Sequence, residues 1–569
     1  MTYQTGRPSE RSAPSVFLPA ALALAVACAP GSDAPAADEP GEEFDTTHVA
    51  EVTDSRGASM GAVVLAPTCG EAATAELRRG LALLHNMTYS EAERAFRAAA
   101  DADADCSLAY WGIAMTYVHP LWPDVPSDEQ LARGWDLLRE ARSKGLGTPR
   151  EEAYVSALEA YYRDGADRTE KDRLAAYADA WERVSTEHPD DPEAALFSAL
   201  ATIATAPPSD STFRNQREAG SIAEEVLGAI PDHPGAHHYI IHAFDVPQLA
   251  ERALPVARSY GDVAPDNSHA LHMTSHIFTR RGHWEESIEF NRRAAEAAWD
   301  APVNGQVSVH HLHAADYLVY AYLQQGADDE AAAVAEHVVG LTDPVMNHAG
   351  TAYALAAIPA RMALERHRWE DAAALEPRQP ATLPWESYPH IEAITHFARA
   401  LGQARTGDVE AARESVDRLV ALKAEAAALP GAYDWGTQVE IQALAARGAI
   451  ALAEGRTAEA VSLMKDAAAL EATTQKNPIT PGEVLPAAEL LGDMLLELGR
   501  HEEALEAYRT VLERSRNRFN ALHGAGLAAE RMGDTALATE YYRQLLDVAG
   551  SSTTRRDALD RVEGFVAEG

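Results

Sequence analysis

Residues 491–508 read LGDMLLELGRHEEALEAY, and residues 525–542 read AGLAAERMGDTALATEYY. Leu491 and Gly492 return as Ala525 and Gly526, Leu495 as Ala529, Gly499 as Gly533, Ala504 as Ala538 and Tyr508 as Tyr542, each displaced by 34 residues. The spacing predicts a hairpin of two helices. A small residue sits where the helices cross, a glycine ends the first helix, and an aromatic on the second packs against the next unit. One such hairpin cannot bury its apolar face alone, so copies must stack. The same skeleton occurs in Gly80, Leu83, Ala92, Phe96 and Ala99, around Ala400 with Gly407 and Ala412, and around Gly448 with Gly455 and Ala460.

A 34-residue helical period with these landmarks is the pattern of the tetratricopeptide repeat. The predicted fold class is therefore all-α: a tetratricopeptide-repeat α-solenoid, a right-handed superhelix of helical hairpins. The chain has 569 residues, 46% of them hydrophobic, which is ample for the continuous core of stacked repeats. A formal net charge of -39 excludes nucleic acid as a partner, since neutralising phosphates needs a positive surface. Proline-rich interruptions, as at His119-Pro120-Leu121-Trp122-Pro123 and over residues 376–387, divide the repeats into a block at 67–375 and a block at 388–569. Trp122 and the other tryptophans at repeat junctions read as packing residues, and Pro478 to Glu483 reads as a linker, the alternative being a loop that folds over the groove.

The N-terminus reads as a targeting segment. Arg7 and Arg11 precede an apolar stretch over 16–27, too short to cross a bilayer, which ends Leu24-Ala25-Val26-Ala27-Cys28. That ending resembles the lipobox of bacterial lipoproteins, which implies a signal peptide over 1–27 and lipidation of Cys28, with ordinary signal cleavage as the alternative. Residues 28–66 are rich in Ala, Pro, Gly, Asp and Glu and read as a flexible tether. The expected location is the cell envelope, periplasmic or otherwise outside the cytoplasm, with the membrane reached only through the lipid. The remaining cysteines, Cys69 and Cys106, flank one hairpin and are expected to form a disulfide there, the alternative being two unrelated thiols.

The histidines depart from a plain scaffold. One helix carries His238, His242 and Asp245 at i, i+4 and i+7, and the next unit carries His269, His272 and His276 at i, i+3 and i+7. His238 and His272 lie 34 apart, as do His242 and His276. For the following unit, the turn Arg280-Arg281-Gly282 matches Gln324-Gln325-Gly326; anchored on that glycine, His313 aligns with His269, Asp316 with His272 and Tyr320 with His276. His310 then falls at or before the helix start. Such rows should line the concave face, with His85 and His119 nearby. Imidazoles at i, i+4 suit a transition metal such as zinc, copper or iron, so His238, His242, His272 and His276 are the candidate metal ligands. His85, His119, Asp245, His269, His313, Asp316 and Tyr320 are candidate groove residues, the carboxylates completing a site or orienting a ligand. Arg280 and Arg281 read as capping the end of their helix, the alternative being that they hold an anionic group.

Three stretches resemble a family of bacterial envelope tetratricopeptide-repeat proteins with histidine-rich helices and no settled activity. They are Gly80 to Asn86 with Ala109 to Gly112 and His119 to Trp122; Asp232 to Gly235 running into His238 to His242; and His269 to Phe278. The resemblance implies that these histidines form a site, without naming a reaction. Two functions follow. One is an exported scaffold whose concave groove binds a protein, a peptide or a small-molecule ligand, with a bound metal as a further element. The other is a metal-dependent enzyme, hydrolytic or redox, built on the solenoid. The sequence has no HExxH zincin motif, CxxC pair, P-loop or GxSxG elbow.

Overall fold

A computed structural model describes residues 43–549 and 556–568 apart from 123, 209, 342, 343 and 432. Cys28 and the 1–27 segment lie outside the described residues. Among the described residues, twenty-five α-helices follow one another from Glu71–His85 to Asp557–Glu568, neighbours along the chain packing against each other. The chain is an all-α tetratricopeptide-repeat solenoid, and Phe44–Gly569 forms one compact unit that includes both repeat blocks.

The repeat landmarks act as their spacing requires. The Tyr508 ring wedges between Gly492 of its own hairpin and Gly524 of the next, where an added Cβ would lie 2.7 and 2.3 Å from it. Phe96 does the same between Gly80 and Gly112. Gly282 and Gly326 end their helices with φ of +68° and +71°, so the glycine anchor used to align His313 is a real conformational landmark.

The tether expectation does not hold for residues 49–64. Here β1 (Val49–Thr53) and β2 (Ser59–Val64) form an antiparallel hairpin. Met60, Ala62, Val63 and Val64 are buried, and the Val64 and Ala62 amides donate to Glu193 and to the Asp232 carbonyl. The apolar run Ala62-Val63-Val64-Leu65 holds enough surface to dock, which an acidic, alanine-rich average over the whole segment conceals. Just beyond it, Cys69 and Cys106 are joined by a disulfide with their Cα atoms 5.0 Å apart, closing the first helical hairpin.

The solenoid also turns back on itself. The Trp284 indole donates to the Asn517 carbonyl, the Phe519 amide to Gln324, and Arg518 reaches Tyr320. The final repeats thus pack against the middle ones. The segment from Lys476 to Glu483, whose Pro478–Glu483 part reads from sequence as a linker or a loop over the groove, takes the second course and packs inside the superhelix. Tyr317 donates to the carbonyls of Pro478 (3.1 Å) and Thr480 (2.9 Å), and buried Arg361 donates to the carbonyls of Gly482 and Glu483 and to the Thr480 hydroxyl.

Candidate metal centre

Three adjacent helices supply the histidines: Pro234–Phe244, Ser268–Arg281 and Val309–Gln325. The side chains of His233 and Asn267 start the first two by accepting the Gly235 and Ala270 backbone N–H, and Ser308 starts the third by accepting that of His310. The i, i+4 and i, i+3 spacings then stack the imidazoles along one face of each helix.

They converge as two triads. In His238, His242 and His269, one donor atom from each lies within 4.8 Å of the others, and the same holds for His272, His276 and His313. The four candidate metal ligands are therefore split between two sites, each completed by a residue first read as a groove contact. The triads adjoin: the His242 and His276 rings are 6.3 Å apart, as are those of His269 and His272.

Hydrogen bonds fix the tautomers. His272 Nδ1 lies 2.8 Å from Asn291 Oδ1, whose amide nitrogen is committed to the Ser287 carbonyl, so Nδ1 must carry the proton. His276 Nδ1 lies 2.9 Å from Asp245, a carboxylate kept ionised against its burial by Lys476 and Arg280. Its proton is on Nδ1 too. The two Nε2 atoms are consequently bare, and they face one another at 3.1 Å. Two lone pairs at that distance repel unless a cation lies between them. A proton is the poorer candidate, because burial pushes both imidazoles below their ordinary range. A metal ion accepts both lone pairs at once.

In the first triad one tautomer is fixed in the same way. His238 donates through Nδ1 to the His85 carbonyl at 2.6 Å, leaving Nε2 bare toward His242 Nε2 at 3.0 Å. Burial drives the His238 imidazole down to about 3. His269 has neither ring nitrogen paired, although both are buried. Each orphaned polar atom costs about 1–3 kcal/mol, so His269 is a buried imidazole whose nitrogens the protein itself leaves unused.

A third cluster, His85, Glu193 and His233, shows what a satisfied histidine network looks like. His85 and His233 donate through Nε2 to Glu193 at 2.6 and 3.1 Å. Their Nδ1 atoms are engaged by the Tyr239 hydroxyl and the Gly235 amide. Every ring nitrogen is engaged, so the cluster braces three helices and β2 and offers an ion no bare imidazole nitrogen.

Other expectations need correction. Asp316 does not reach the triads; it pairs with Arg361 at 3.1 Å, and burial raises its carboxyl to about 6. Tyr320 meets Arg518 and Trp284 instead. The aromatic against the second triad is Tyr317, with its ring 4.7–5.3 Å from His272, His276 and His313. It is four residues past His313, on the same helix face, which is the signal that could have found it. His119 is apart, bonded to Asp124 and stacked on Tyr89. His310 is in the first turn of its helix, its ring 5.1 Å from His269. Arg280 binds Asp245 rather than the end of its own helix. Asn291 and Lys476, the latter 3.0 Å from Asp245, were not legible as site residues.

Two cavities serve the centre. A small one of about 40 Å³ touches both triads through His242, His269, His276 and His313, and Met273, Trp122 and Ile479 are among its apolar walls. A larger one of about 690 Å³ extends outward past Met87, Tyr89 and His119. Trp122, Val309 and His348 line both, so Trp122 is a partition rather than a packing residue alone.

The tetratricopeptide-repeat family matches residues 485–518. No curated protein matches the chain. Among solved structures, the human IFIT1 dimer with m7Gppp-AAAA is 13% identical, covers 74% of this chain and 87% of its own, and superposes with a TM-score of 0.37. Yeast Tom70 is 14% identical, with 82% and 98% covered and a TM-score of 0.35. The APC/C hetero-tetramer Cut9-Hcn1 is 12% identical, with 86% and 96% covered and a TM-score of 0.28. The repeat match and the helical hairpins define the class, a tetratricopeptide-repeat solenoid; overlays this loose carry nothing about ligands.

Proposed function

We propose that the chain is a transition-metal protein in which two adjacent three-histidine sites, His238/His242/His269 and His272/His276/His313, each bind one ion. The observation that carries this reading is the pair of bare Nε2 atoms of His272 and His276 facing each other at 3.1 Å, with both Nδ1 protons held elsewhere. Three imidazoles per ion leave a coordination position open, as catalytic rather than structural sites do. The small cavity gives that position room for a ligand. The repeat solenoid is the scaffold, and what it holds at the histidines is the ion. The groove expected for a protein or peptide partner is filled at that level by the chain's own Lys476 to Glu483 segment, which favours the metal-dependent reading over partner capture.

The same proposal places the protein in the cell envelope, anchored through Cys28, as a bacterial protein of the type its histidine motifs resemble. The Cys69–Cys106 disulfide supports an oxidising compartment. The test is elemental analysis of the purified protein beside a His238→Ala, His242→Ala, His272→Ala, His276→Ala variant. About two equivalents of a transition metal, lost in a variant of unchanged helicity, are expected. A chain that takes up no metal after loading overturns the proposal.

A further inference from the structure

Resting on the two-site reading, we infer that the triads act as one dinuclear copper centre that binds dioxygen in the small cavity between them. Four observations lead there. The donors are six imidazoles with no carboxylate among them, a set suited to copper. Ring separations between the triads, 6.3 Å, equal the largest within the second triad, so ions in both would be neighbours.

The third observation is charge. The six donors are neutral, and Asp245, the carboxylate bonded to them, already faces both Arg280 and Lys476. With Glu483 as the other carboxylate acting on Lys476 and Arg280, the surroundings hold no surplus of negative charge to balance an incoming ion. Two divalent ions in so buried a place are strongly penalised. Two copper(I) ions add half that charge, and a doubly negative group forming between them offsets it.

The fourth is the cavity itself. At about 40 Å³ it exceeds the space one water needs and is far below that of an organic substrate. Two histidines of each triad open onto it, and apolar side chains form most of the rest. That is the space and polarity a diatomic molecule requires. Each copper(I) gives one electron to dioxygen. The O–O bond order falls from two to one, and the products are two copper(II) ions and a bridging peroxide dianion, with no proton taken up.

The experiment uses the full chain, loaded anaerobically with copper(I) as its acetonitrile complex and then mixed with oxygenated buffer. About one dioxygen consumed per two coppers is expected, with a near-ultraviolet peroxide-to-copper charge-transfer band and no copper(II) electron paramagnetic resonance, because the two spins pair through the bridge. His242→Ala, at the half-buried member of the first triad, keeps one copper and loses oxygen uptake, with circular dichroism confirming the fold. Copper bound without oxygen uptake, or a full-intensity copper(II) signal after oxidation, overturns the inference while leaving the metal-binding reading intact. A wild-type chain that binds no metal at all removes that reading with it.

Discussion

Glu193→Gln separates the bracing histidine cluster from the two metal triads. Glu193 is fully buried and accepts three bonds: His233 Nε2 and the Val64 amide on Oε1, and His85 Nε2 on Oε2. Burial alone raises its carboxyl, but the two imidazoles outweigh that and hold it far below the carboxylate range. Glutamine preserves the shape and the Oε1 acceptor. Its amide N–H₂ then confronts His85 Nε2–H, donor against donor. His85 can escape by moving its proton to Nδ1 and donating to Tyr239, whereas His233 cannot, because its Nδ1 already accepts from the Gly235 amide. Charge assistance is lost in at least two bonds and one tautomer must change, so the expected destabilisation is about 2–4 kcal/mol.

The sign of the pH dependence follows from the depressed pKa. Glu193 stabilises fully above its unfolded value of about 4.3, and that contribution fades as pH falls below it. Wild type and variant should therefore differ most near neutral pH and converge in acid. Hydrogen exchange in Glu71–His85 and Pro192–Ala204, read beside thermal unfolding at about pH 3 and pH 7, measures this locally, which suits a repeat array that need not unfold in one step. Metal content stays at the wild-type level. A variant with wild-type exchange, or one that loses metal while remaining stable, would refute the reasoning and make the cluster a third ion site.

Asp245→Asn removes the charged partner of His276 Nδ1 and is expected to weaken metal binding at the second triad about 10–100-fold, measured by competition with a chromophoric chelator; unchanged affinity would remove Asp245 from the site. Gly524→Ala drives a Cβ to 2.3 Å from the Tyr508 ring and should cost about 1–3 kcal/mol in chemical denaturation, with metal content unaffected. Cys106→Ser opens the loop closed across a sequence separation of 37 and should lower stability by about 4 kcal/mol on the chain-entropy relation, seen as a lower midpoint under non-reducing conditions that reductant reproduces in the wild type.

The repeats were legible because their landmarks are local: a glycine at +73° or a small residue under an aromatic ring is decided within one hairpin. The paired histidines were legible for the same reason, since i, i+4 on a helix is a distance as well as a spacing. The third ligand of each triad crosses from one repeat to the next, and only the superhelical rotation decides that His269 joins His238 while His313 joins His272. Anchoring on Gly326 placed His313 correctly, yet it put Asp316 and Tyr320 in register with ligands when the rotation turns them toward Arg361 and Arg518. Nothing local connects Lys476 to Asp245 across 231 residues. The β1–β2 hairpin was missed for a different reason, a short apolar run diluted by its acidic neighbours.

The segment from Lys476 to Glu483 also sets an order of events during biosynthesis. The helices bearing the six imidazoles are complete by Gln325, while the residues that enclose them are made about 150 positions later. Until the last repeats arrive, the histidines stand open to any cation the surroundings offer. On the two-site proposal, an ion that arrives early meets the imidazoles directly, and one that arrives later must pass the closing segment, so uptake by the folded chain should be slower than uptake during refolding.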